Sequence, residues 1–86
     1  MNLNSIPRPL VELQPGQTGR IVALGGPSRE VRLRLRTLGL RPGAKVKLLG
    51  RGLGGPVRIE VEGCCLALGA GVARRILVAP ETEDKE

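Results

Sequence analysis

Three places in the chain carry residue types that could do chemistry. In VRIEVEG, Glu60 and Glu62 stand two apart, so on a strand both carboxylates point to one side and could hold a hard cation between them. The same two acids, alternating beside Arg58, also make an ordinary solvated outer face. Cys64 and Cys65 are neighbours. Adjacent Cα atoms lie about 3.8 Å apart, below the usual disulfide range of about 4.4–6.8 Å. On a strand the two thiols take opposite faces, so they cannot chelate one ion together; one is expected in the core and the other partly exposed. Both are expected to be free thiols of a reducing compartment. The string GRGLGG looks like a phosphate cradle, but such a cradle feeds a helix N-terminus. Here alternating, strand-like runs flank it, which makes it a hairpin loop.

What is missing narrows the chemistry further. The 86 residues contain no His, Phe, Tyr or Trp. Without His, the commonest general base and transition-metal ligand are gone. Neither a Gly-x-Ser-x-Gly nucleophile turn nor a Gly-Lys-Ser/Thr phosphate loop is present. The expectation is a chain that is not an enzyme and has no cofactor or stoichiometric metal site. Without aromatic rings, base-stacking platforms and proline-peptide grooves are also excluded.

Charge is the remaining resource. The segment from Pro80 to Glu86 holds four acids against one base, a net −3, and so leaves +9 on the rest of a chain whose total is +6. A basic body attracts acidic partners. Much of it lies in REVRLRLRTLGLRPG, residues 29–43. As a strand, this stretch loses its alternation at Thr37 and Leu38. As a helix, it puts Val31, Leu35 and Leu38 on one inward stripe. Ser28 can cap the first amides, and Glu30 suits the first turn. Gly39 suits the left-handed position after the last turn, and Leu40 would make the closing apolar contact with Leu35. Pro42 and Gly43 then turn the chain. The spacing therefore predicts a helix over 29–38, whose outer face gathers Arg29, Leu33 and Arg36. A leucine rimmed by arginines is the kind of patch that docks on protein; it is equally what a solvated basic helix with one stray apolar residue presents. Arg41, Lys45 and Lys47 could extend it.

The elements that position these residues are short. TGRIVAL (18–24) reads as a strand with Ile21 and Ala23 on one side, after a Pro15-Gly16 turn. AKVKLLG (44–50) and PVRIEVEG (56–63) alternate, with Val46, Leu48, Val57, Ile59 and Val61 inward. RGLGG (51–55) joins them. CCLAL (64–68) follows, then a turn and a closing strand with Ile76 and Val78 inward. Such a set makes an all-β domain, a small β-barrel with one short α-helix, in which closing the sheet hides the strand edges. Residues 1–9 read as a flexible leader, 10–79 as the domain and 80–86 as an acidic, disordered tail.

The order of these pieces resembles the ferrous iron transport protein A family, the FeoA domain. The matching stretches are PLVELQPGQTGRIVAL, LRTLGLRPGAKVKLL and GGPVRIEVEGCCLALGAGVARRILV. The most specific part is the LxxLGLxPGxxV element from Leu35 to Val46, and the resemblance spans roughly residues 10–79. It implies an SH3-like barrel carrying one helix. It also implies a cytoplasmic partner of the large membrane GTPase that transports ferrous iron in bacteria; separately, no apolar run approaches the ~18 residues needed to span a membrane, so no membrane insertion is expected. Similar domains are appended to iron- and manganese-dependent repressors, but this chain shows no second DNA-reading unit, so a free-standing adaptor is expected. Two other functions stay open: nucleic-acid binding by the basic body, disfavoured because no helix sets Asn or Gln beside Arg for base contact, and homo-oligomerisation through an exposed Leu33.

Overall fold

A computed structural model describes residues 6–25, 28–52 and 55–81. Short strand β1 (Arg8–Pro9) runs into a 3-10 turn (Leu10–Glu12). Then follow β2 (Thr18–Leu24), α1 (Arg29–Thr37), β3 (Lys45–Arg51), β4 (Val57–Val61), β5 (Cys64–Leu68), α2 (Ala70–Arg74) and β6 (Ile76–Glu81). All strand pairs are antiparallel, in the spatial order β1-β6-β2-β3-β4-β5.

Period-two alternation does the sorting. Val46 and Leu48 of β3 stand opposite Val61 and Ile59 of β4, and all four are buried with Ile21, Ile76 and Val78 in one core. The polar members of the same strands, such as Lys45, Lys47 and Arg58, are exposed. Among the described residues the core contains no buried polar or charged side chain, so it has no ionic cost to offset.

Helix α1 forms as its local signals require. The Ser28 hydroxyl accepts a hydrogen bond from Val31 N–H at 3.2 Å. At the other end Gly39 takes φ +101°. Leu40 N–H donates to Leu35 C=O at 2.9 Å, and Gly39 N–H to Arg36 C=O at 3.0 Å. These are the two bonds of a Schellman stop, with Leu35 and Leu40 both buried.

Several expectations are corrected. The helix stops at Thr37, and Leu38 is 44% exposed rather than inward. The chain turns at Gly39, so Leu40 takes the inner position. A second short helix, α2, replaces the plain turn expected before the closing strand; it buries Ala73. Arg8 and Pro9, assigned to the leader, pair with Val78 and Leu77, and Pro80 and Glu81, assigned to the tail, belong to β6. Both cysteines are free and exposed, so neither is core. They follow a tight turn in which Glu62 and Gly63 have φ +52° and +79°, the left-handed pair of a two-residue hairpin. Among the described residues the ladder of hydrogen bonds does not close, since β5 pairs with β4 alone. The rest of the leader (1–5), of the tail (82–86), of the turn at 26–27 and of the loop at 53–54 lies outside the described residues.

Candidate functional site

The outer face of α1 and the second half of β2 form the walls of an open groove of about 450 Å³. It is lined by Val22, Ala23, Leu24, Arg29, Arg32, Leu33, Arg36 and Pro42. Three local features build it. The helix puts Arg29, Arg32, Leu33 and Arg36 on one side at i, i+3, i+4 and i+7. On β2 the pairing with β6 slips between Ile21 and Ala23; this bulge leaves Val22 as the extra residue, turned outward and 44% exposed. Gly43 N–H donates to Ile21 C=O at 2.8 Å and Ile21 N–H to Ala44 C=O at 2.9 Å. That clamp holds the Pro42-Gly43 turn against β2 and sets Pro42 in the groove.

The groove joins apolar surface to positive charge. Leu33 is 50% exposed, and no described carboxylate lies within ion-pair distance of Arg29, Arg32 or Arg36. Glu30, the helix's own acid, is in the first turn and does not line the groove. Arg34 and Arg36 in the last turn are favoured by the negative end of the helix dipole.

Of the six residues proposed from sequence for partner contact, the fold brings Arg29, Leu33 and Arg36 together and sends Arg41, Lys45 and Lys47 elsewhere. Arg41 Nη2 pairs with Glu62 Oε2 at 3.3 Å. Lys45 Nζ lies 3.8 Å from Glu81 Oε1, and Arg20 Nε donates to Glu81 Oε2 at 2.9 Å. Lys45 and Lys47 line a separate hollow of about 430 Å³ with Thr18, Val46, Glu60, Glu62 and Gly63. Glu60 and Glu62 thus share a hollow, but Arg41 already engages Glu62. Among the described residues no three His, Cys, Asp or Glu side chains converge as metal ligands. Sequence reasoning missed Arg32, Val22 and Leu24. Arg32 was available from its i+3 spacing to Arg29. Val22 was available as well, because alternation sets it with Arg20 on the side away from Ile21; Leu24 was not, because the slip between Ile21 and Ala23 breaks the alternation beyond it. Ser28 Oγ accepts from Val31 N–H, Gly39 and Gly43 take left-handed φ, and Leu40 N–H donates to Leu35 C=O. Pro42 lines the groove. Among the described residues no helix is long and apolar enough to cross a membrane.

The FeoA domain model matches residues 8–80. Among solved structures, an iron uptake regulatory protein (FeoA) is 36% identical, with a TM-score of 0.79, over 88% of this chain and 100% of that one. FeoA from Chlorobium tepidum is 32% identical with a TM-score of 0.82, over 90% and 73% of the two chains. FeoA from Stenotrophomonas maltophilia, solved in complex with zinc and described as an SH3 domain protein, is 25% identical with a TM-score of 0.73, over 85% and 94%. No curated protein sequence matches the chain significantly. A six-stranded antiparallel sheet of this SH3-like order, with short helices and a match that spans nearly every described residue, leaves one assignment: the chain belongs to the FeoA domain family, which is linked to ferrous iron transport.

Proposed function

We propose that this protein is a non-enzymatic, cytoplasmic accessory protein of bacterial ferrous iron transport, and that it binds the cytosolic part of the membrane GTPase that carries the ion. The observation that carries the reading is the groove between α1 and β2, where Leu33 and Val22 lie exposed among Arg29, Arg32 and Arg36. Such a surface fits a partner segment that offers an apolar side chain flanked by acids. The apolar contact supplies affinity, while the arginines steer the encounter and fix its register. The absence of His from the whole sequence and the exposed, solvent-facing character of the groove suit binding rather than turnover.

The test is calorimetric titration of the full chain against the isolated cytosolic portion of the transporter, across a salt series, with duplex DNA as a parallel arm. Saturable binding to the transporter portion is expected, weakening as salt screens the arginines. It should fall further in Arg32→Glu/Arg36→Glu, whose circular dichroism stays unchanged. Binding to DNA at physiological salt with none to the transporter portion would reverse the assignment.

A further inference from the structure

The spatial order β1-β6-β2-β3-β4-β5 gives the sheet two ends, and they are built differently. The β1 end is two residues long and includes Pro9, which has no N–H to offer; short strands and proline are how natural sheets blunt an edge. The β5 end has no such protection. Cys64–Leu68 is five residues long with no charge and no proline. Its pairing with β4 runs without a slip from Val61↔Cys64 to Val57↔Leu68.

The pairing also fixes which backbone groups face outward. Across the two-residue Glu62-Gly63 turn, Val61 and Cys64 are the hydrogen-bonded pair that closes the hairpin. Alternation then sends the N–H and C=O of Cys64, Leu66 and Leu68 toward β4, and those of Cys65 and Ala67 away from it. No other described residue hydrogen-bonds to the outward groups. The strand is accessible there: Cys64, Cys65 and Ala67 are exposed, Leu66 is half-buried, and only Leu68 is buried.

We propose that β5 is a self-pairing edge, at which two copies of this chain join strand to strand, antiparallel, about a two-fold axis through Leu66. The pattern is self-complementary on that axis. Cys65 stands opposite Ala67 of the second copy and Ala67 opposite its Cys65. Each of these pairs exchanges both backbone bonds, and the two Leu66 residues meet between them at the closer, non-bonded spacing. The charges agree with this register. Arg58 lies across β4–β5 from Ala67, and Glu60 from Cys65. Each row over the joined sheets therefore runs from Arg58 through Ala67 and the second copy's Cys65 to its Glu60. The seam is neutral, and opposite charges flank it. An edge seam this short buries far less than a permanent dimer interface, so the pair forms reversibly at roughly 0.1–1 mM.

Sedimentation equilibrium of the full chain under reducing conditions, up to about 1 mM, should show an average mass that climbs toward twice the monomer. Ala67→Pro removes an outward N–H that the β4 ladder does not use, and should leave a monomer throughout. Independently, Cys64→Ser/Ala67→Cys sets a thiol opposite Cys65 of the second copy. Hydrogen-bonded partners lie about 5.5 Å apart at Cα, within disulfide reach. Under mild oxidation this variant should give covalent dimer at least tenfold faster than Cys64→Ser alone, whose Cys65 residues sit two positions out of line. Should Ala67→Pro fail to fold, this comparison decides. Equal cross-linking rates, a parent chain that stays monomeric at the highest concentration, or a β5 seam that forms only with a strand of the transporter would each overturn self-pairing.

Discussion

Replacing Leu33 by aspartate separates a docking residue from a core residue, because the fold and the proposed contact draw on different halves of the same side chain. Leu33 is 50% exposed in the free protein. Burying a whole leucine side chain contributes about 1.5–3 kcal/mol, so the folded chain already uses about 0.8–1.5 kcal/mol of it and a partner could use as much again. Aspartate is also the poorer helix former by up to about 0.7 kcal/mol. Against this, the new carboxylate would stand four residues after Arg29 and three before Arg36, pairs that return about 0.2–0.5 kcal/mol each. The Thr37 hydroxyl bond to the Leu33 carbonyl is a backbone contact and survives. The net loss is about 1 kcal/mol, or about 4–8 °C in Tm for a domain of this size.

The docked state loses more. Its share of the apolar contact disappears, and a carboxylate then faces an acidic partner, so Kd for the transporter's cytosolic portion should rise about tenfold or more, tenfold being about 1.4 kcal/mol. The melt must be followed by circular dichroism, since the chain has no tyrosine or tryptophan to fluoresce; calorimetry gives the affinity. Leu35→Asp is the matched control: Leu35 is 4% exposed, and a charge in its place should unfold the domain. If Leu33→Asp unfolds as Leu35→Asp does, Leu33 belongs to the core and the groove is misread. If it folds and binds with unchanged affinity, the docking face lies elsewhere.

The stop and start of α1 give two further tests. Gly39→Ala forces a Cβ onto a left-handed residue and brings it within 3.1 Å of Glu62 Oε1. It should cost about 1–3 kcal/mol in a denaturant melt, and a neutral result would mean that the Schellman stop does not hold the turn. Ser28→Ala removes the hydroxyl that accepts from Val31 N–H and should cost about 1 kcal/mol, with Ser28→Asp restoring it; the measure is the midpoint of the same melt, and equal midpoints for Ser28→Ala and the parent would refute the capping role.

The helix and the core faces were legible in the sequence because their signals are local. Ser28, Glu30, Gly39 and Leu40 act within a turn or two of where they stand, and Val46, Leu48, Val57, Ile59 and Val61 declare themselves by simple alternation. Where a feature depends on something distant, local pattern fails. A two-residue strand such as Arg8–Pro9 has no period to read, and only β6 makes it a strand. In GAGVAR two glycines read as a turn, whereas the burial of Ala73 against the core makes it a helix. Leu38 fits the helical stripe, but the left-handed Gly39 diverts the chain before the stripe can continue.

The basic residues divide along the same line. Arg41 and Lys45 follow α1 closely in sequence, so they look like extensions of its charged face. The left-handed Gly39 diverts Arg41, and the Pro42-Gly43 turn then diverts Lys45; their acids are found far along the chain: Glu62 is 21 residues from Arg41, and Glu81, which also holds Arg20, is 61 residues from Arg20. These exposed pairs are worth little in stability, but they lower the net positive charge on that side. Arg29, Arg32 and Arg36 have no such partners among the described residues. Within the described residues the groove therefore keeps its positive charge beside Leu33, while the hollow at Lys45 and Lys47 carries acids of its own. That difference is why an acidic partner is expected at α1 and not across the whole basic body.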